Sequence, residues 1–138
     1  MVATIAALIL TWNGGLPANE MAQHLVLIEQ RGGPPAHIMY GLICVESEWD
    51  PTCVGAHGET GLTQIHWHVH PGAPRAGWTA QMDWSAAHLM GLKKRAGSWE
   101  VALAAYNGGW GGRKWAQCRK YARVVLKKAK GVEAHGSR

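Results

Sequence analysis

Ala36-His37-Ile38-Met39-Tyr40-Gly41-Leu42-Ile43-Cys44-Val45-Glu46-Ser47-Glu48-Trp49 is the stretch on which the reading of this chain turns. Wound as a helix, it places Met39, Ile43 and Glu46 on one line at i, i+4 and i+7. Ile38, Leu42, Val45 and Trp49 form a second line beside it. A carboxyl group therefore shares a face with core residues. Removal from water disfavours the charged form of an acid, so a Glu at the edge of a core keeps its proton to higher pH than a surface Glu. Glu46 is thus a candidate proton donor, against the bland alternative of a surface Glu at a helix end.

Outward from this segment, helix signals dominate and no stretch alternates cleanly enough for a half-buried strand. The expected fold is mostly α. Val2 to Trp12 reads as a first core helix closed by Asn13-Gly14-Gly15. Asn19 is placed to cap a helix from Glu20 to about Arg31. Pro35 suits the first turn of the Glu46 helix, and Asp50-Pro51 is expected to end it. A glycine-containing loop follows, then a short helix from about Leu62 to His68 and a second loop. The next expected helix runs from Thr79 or Ala80 to Ala96, with Met82, Ala86 and Leu89 inward and Gly97 at its end. Ser98 caps another that reaches Tyr106. Trp115, Cys118, Ala122 and Val125 mark the inner face of a last helix stopping at Gly131. The expected organisation is one domain over residues 1–131 and a flexible tail over 132–138.

With 138 residues, the chain is long enough to bury a core without disulfides. No run approaches the roughly 20 apolar residues of a membrane span. Val2 to Trp12 resembles the apolar part of a secretion leader but lacks a preceding basic residue and a clear cleavage site, so export by another route is expected. The net charge of +5 and pI near 9.4 favour a polyanionic partner, for which bacterial wall qualifies as well as nucleic acid does. The basic residues cluster in Lys93 to Arg95 and Arg113 to Lys130 without a nucleic-acid recognition motif, so no nucleic-acid partner is expected. Cys44 reads as a buried thiol. Cys53 and Cys118 are placed to pair if the loop after Pro51 meets the last helix.

His66, His68 and His70 alternate around Trp67. Alternate residues diverge on a helix, and only His66 and His70 have the i, i+4 spacing of a ligand pair. Two ligands make no site, so neither a metal nor another cofactor is expected. Eight tryptophans and no phenylalanine suggest indole walls for sugar rings, with Trp49, Trp67, Trp78, Trp84 and Trp110 as candidates and Trp110 foremost, because it lies in a glycine-rich stretch beside Asn107.

Four motifs then occur in order: Glu46-Ser47-Glu48-Trp49-Asp50-Pro51, Gly61-Leu62-Thr63-Gln64-Ile65, Ala104-Ala105-Tyr106-Asn107-Gly108-Gly109, and Tyr121 with Arg123-Val124-Val125-Leu126. Together they resemble the soluble lytic transglycosylase and goose-type lysozyme family, glycoside hydrolase family 23, over roughly Pro35 to Leu126. The resemblance implies a lysozyme-like helical domain whose cleft takes a peptidoglycan glycan strand, working as a monomer without a cofactor. It implies Glu46 as catalytic acid and base, Gln64 lining the cleft, Tyr106 and Asn107 bracing the acid and the sugar, and Tyr121 as the tyrosine of the last motif. The implied reaction cleaves the bond between N-acetylmuramic acid and N-acetylglucosamine with formation of a 1,6-anhydro product. The place of action is the bacterial cell wall, as for a phage lysin released through a holin or carried in a virion.

Two departures bear on the reaction type. Gly55 stands where some relatives carry Ser, and Gly58-Glu59-Thr60 brings a second carboxylate near the cleft. If Glu59 or Asp50 holds a water in line, the outcome is hydrolysis, as in a muramidase. A glycan-binding module without useful turnover is the alternative outside enzymology.

Overall fold

The computed structural model describes residues 1–136. Its framework is six α-helices among the described residues: α1 Val2–Trp12, α2 Ala18–Gln30, α3 Ala36–Ser47, α4 Trp78–Ala96, α5 Trp99–Gly112 and α6 Ala116–Gly136. The expected mostly α class is what the chain adopts. β-type pairing among these residues is confined to two isolated antiparallel bridges, Val54 with Thr60 and Thr60 with Ile65. None of the helices is long and apolar enough to cross a membrane.

The segment quoted above forms the axis of the molecule. Nine of the twelve residues of α3 are buried, so it is enclosed by its neighbours and its apolar face is wider than a stripe. Gly41 sets how closely α6 approaches. A Cβ there would meet the Val125 carbonyl oxygen at 2.5 Å and the Ala129 nitrogen at 3.2 Å, so backbone lies against backbone. Small residues on the inner face of α6, with Cys118, Ala122, Val125, Ala129 and Val132 buried, permit this contact. Around that pair, α5 contributes Leu103 and a run of alanines, α1 contributes Ile5 and Ile9, α2 contributes Met21, Leu25 and Ile28, and α4 contributes Met82 and Leu89.

Several expected boundaries move. The second helix begins at Ala18 after Pro17, so Asn19 lies within its first turn and caps nothing. Pro35 precedes α3 as its cap residue. That helix ends at Ser47, ahead of Asp50-Pro51, because Glu48 and Trp49 turn left-handed with φ of 53° and 60°. Left-handed backbone is costly for residues with a side chain. Burial of the Trp49 indole offsets the cost: the ring is fully enclosed, packs 5.7 Å from the Tyr40 ring, and its carbonyl accepts from Asn13 Nδ2 at 3.2 Å.

No helix forms over the expected Leu62 to His68. Gly61 and Gln64 both take positive φ, 83° and 51°, and the segment folds as successive turns that send Leu62 and Ile65 into the core. Trp115, expected inward, is 55% exposed. The last helix runs through Gly131 to Gly136 and buries Val132, so the expected flexible tail is helical as far as residue 136. Ser137 and Arg138, the end of that expected tail, lie outside the described residues. All three cysteines are free thiols, Cys44 and Cys118 buried and Cys53 half-buried, so the conditional pairing of Cys53 with Cys118 is not made.

Candidate active site

The last turn of α3 presents Glu46 beside α6, where Tyr121 Oη donates to Glu46 Oε1 at 2.5 Å. Such a short O–H to carboxyl contact lies in the range of strong, charge-assisted hydrogen bonds. Burial pushes the Glu46 carboxyl up to about 7, the Tyr121 hydrogen bond opposes that rise, and the Glu59 charge adds to it. Desolvation prevails over the hydroxyl because the ionised form loses water on most sides and gains one donor. Tyr121 is itself held well above the ordinary phenol range by burial and by the Glu46 charge, which keeps it a proton-bearing donor.

The loop after α3 is pinned to the helices. Tyr106 Oη donates to the Thr63 carbonyl at 2.9 Å, and Ser85 Oγ donates to Thr63 Oγ1 at 2.7 Å with both residues buried. Gly61 is obligatory at its position: its φ is positive and a Cβ would strike Gln81 Oε1 at 2.1 Å. Gln64 uses its amide nitrogen within the loop, donating to the Cys53 and Gly61 carbonyls at 2.9 Å each. Its Oε1 faces Gly55.

Glu59 converges on the same point. A Cβ on Gly55 would lie 2.0 Å from Glu59 Oε2 and 2.8 Å from Gln64 Oε1, so the carboxylate occupies the space that a side chain at position 55 would fill. The His57 backbone N–H donates to Glu59 Oε2 at 3.1 Å, and Gly55 N–H donates to the Glu59 carbonyl at 2.7 Å. Asp50 is otherwise engaged. Its Oδ1 accepts from Thr52 N at 2.9 Å and Thr52 Oγ1 at 2.7 Å, and these bonds hold the exposed carboxyl below the usual range. Asn107 stands exposed.

The structure therefore gathers Glu46, Tyr121, Tyr106, Gln64 and Glu59 around one loop and the helices beside it. Trp110 is half-exposed and flanked by cations: the guanidinium carbons of Arg95 and Arg113 lie 3.9 and 4.2 Å from its ring centroid. A sugar stacking on Trp110 would share the ring with these two cations. Trp49 is core. Trp78 packs at the core margin with its ring 5.8 Å from that of His24.

Trp84 sits in a ring cluster that adjoins Tyr106. It stacks on His88 at 5.0 Å, His70 packs against both at 4.9 and 4.7 Å, and His88 lies 5.7 Å from Tyr106. Burial, then the charge of His66, depresses the basicity of His70, and burial, then the charge of His70, depresses that of His88. His88, Ser85 and Gln81 were not anticipated. The one signal for His88 is its i+4 spacing from Trp84 on α4. His57 and His66 stack at 6.0 Å, and no group of three or more ligating side chains able to hold a metal exists among the described residues.

Neither a protein-family model nor a curated protein matches the chain.

Proposed function

We propose that this chain is a peptidoglycan-cleaving enzyme of the lytic transglycosylase type, with a lysozyme-like helical domain and Glu46 as its acid and base. The observation that carries this reading is the Glu46 carboxyl, which burial leaves protonated up to about pH 7 and which Tyr121 Oη holds in one orientation. A group poised near the operating pH is what general acid catalysis requires. Glu46 donates its proton to the glycosidic oxygen as the bond from C1 of N-acetylmuramic acid breaks. The resulting carboxylate then takes the proton of the sugar's own 6-hydroxyl as that oxygen bonds to C1. The 1,6-anhydro product forms without consumption of water, and Glu46 regains its proton. On this reading the chain works as a monomer on glycan strands of the bacterial wall.

A second outcome has a specific observation in its favour. The Glu59 carboxylate stands over Gly55 and its charge is felt at Glu46, as hydrolysis with a carboxylate-held water requires. Asp50 has no such support: its Oδ1 is engaged by Thr52, and its charge is not among those that shift Glu46.

Mass spectrometry of digested bacterial wall distinguishes the two. Anhydro products, one water lighter than hydrolytic fragments, are expected, and reducing-end muramic acid throughout would move the assignment to hydrolysis through Glu59. Glu46→Gln should slow release of either product by roughly 100-fold or more. Equal rates for this variant and its parent would end the proposal.

A further inference from the structure

Among the described residues, the ion pairs of His24 with Asp83 and of His37 with Glu133 leave the lysines and arginines aside. Nor are these charges spread evenly. Lys and Arg supply six residues of α6, with Glu133 its single acid.

Their arrangement has a direction. Arg119, Arg123, Lys127 and Lys130 fall at i, i+4, i+8 and i+11 on the outer face of α6, all exposed, opposite the buried line of Cys118, Ala122, Val125 and Ala129. Successive i, i+4 charges lie about 6 Å apart along the axis. Like charges at this spacing destabilise a helix, and no acid within the row relieves them.

The row begins at a groove. A concavity of about 430 Å³ between the start of α5, the 113–115 turn and the first turn of α6 is lined by Arg113, Lys114 and Arg119, with Val101 and Ala104 as apolar floor and Glu100 the one acid. Arg113 is preorganised there: its Nη1 donates to the Trp110 carbonyl at 2.6 Å and its guanidinium lies over the Trp110 ring. A cation held by a ring and a carbonyl loses less conformational freedom when an anion arrives than a free surface side chain does. The kink at Gly109, φ 74° and ψ 170°, interrupts the helix just before this ring and this arginine.

We propose that groove and row form one track that binds a linear phosphodiester polymer lacking aromatic bases, of the polyol-phosphate kind. Guanidinium forks match phosphate oxygens bidentately, and a line of single cations suits a single flexible chain whose backbone repeats its charge. Nucleic acid is disfavoured because a single-strand groove offers a series of rings for base stacking. Here the Trp110 ring is flanked by Arg95 and Arg113, and Trp115 alone stands exposed nearby. None of Glu46, Gln64, Tyr106 or Tyr121 lines the groove, so the track is independent of the reaction proposed above.

The test measures binding of the full chain to labelled poly(glycerol phosphate), with single-stranded DNA of equal charge number, poly-glutamate and inorganic phosphate as competitors, over a series of salt concentrations. The variant Arg113→Gln, Arg119→Gln, Arg123→Gln removes the three arginines of the track. Arg31→Gln, Arg75→Gln, Lys94→Gln removes the same charge elsewhere, and circular dichroism checks that both fold. Track removal should weaken polymer binding by about tenfold or more and reduce the salt slope by about three, roughly one per lost phosphate contact, while the control stays within about twofold of the parent. Equal losses in the two variants would reduce the effect to net charge and overturn the track. DNA competing as well as the polyol phosphate would reassign it to nucleic acid, equally effective poly-glutamate would remove the preference for phosphate, and displacement by millimolar phosphate would reduce it to a simple anion site. Absence of polymer binding at low salt would overturn it outright.

Discussion

Glu46 keeps its proton for a reason that also costs stability. Its folded-state pKa of about 7 exceeds the roughly 4.3 of an unfolded Glu, so the folded chain binds the proton more tightly. Folding gains this advantage fully below about pH 4 and loses it as pH rises through 7, leaving a penalty on the order of 3 kcal/mol at pH 8. Glu46→Gln should therefore unfold at higher denaturant than the parent at pH 8 and nearly level with it at pH 4. A variant less stable at pH 8 would show that the carboxylate is satisfied in place. Tyr121 works in the other direction, since its hydroxyl lowers the same pKa. In Tyr121→Phe the alkaline limb of the glycan cleavage proposed above should move to higher pH while the maximal rate falls about tenfold, within the range ascribed to positioned acid groups. A limb that stays in place would detach Tyr121 from the acid.

At the scale of elements, the contact of α3 with α6 is the most demanding. Gly41→Ala places a methyl group 2.5 Å from the Val125 carbonyl; rigid backbone is what it meets. The loss should reach about 2 kcal/mol in urea unfolding, within the range for overpacking, and a neutral effect would mean that α6 can shift outward without cost. Elements bounded by local chemistry were legible: α1 matches its apolar run, Gly97 closes α4 in the left-handed region, and Ser98 caps α5 through Val101 N–H. Elements decided from a distance were not. The exit of α3 answers to burial of the Trp49 indole, the turns at 61–64 answer to Gln81, Ser85 and Tyr106, and Trp110 is flanked by Arg95, fifteen positions earlier on another helix. The same division holds at the site. Glu46 and Tyr121 could be singled out from motif order, but their bond across 75 positions, and the seating of Glu59 over Gly55, belong to packing that periodicity does not encode.

For the molecule as a whole, a net charge of +5 without lysine or arginine ion pairs among the described residues makes self-repulsion an uncompensated cost. Sodium chloride at 0.1 to 0.3 M should raise the thermal midpoint, because at these concentrations the screening length falls to about 10 Å and below; a falling midpoint would show that internal attractions outweigh this repulsion. The free thiols give the fold a further property. A maleimide can approach half-buried Cys53 while the helices remain packed, whereas buried Cys44 and Cys118 come within its reach only when their helices part from their neighbours, α5 from α6 in the case of Cys118, whose Sγ lies against Gly108. The second and third alkylations therefore act as a clock on spontaneous opening, and a chain quenched at intervals and weighed intact would record how often its centre is breached.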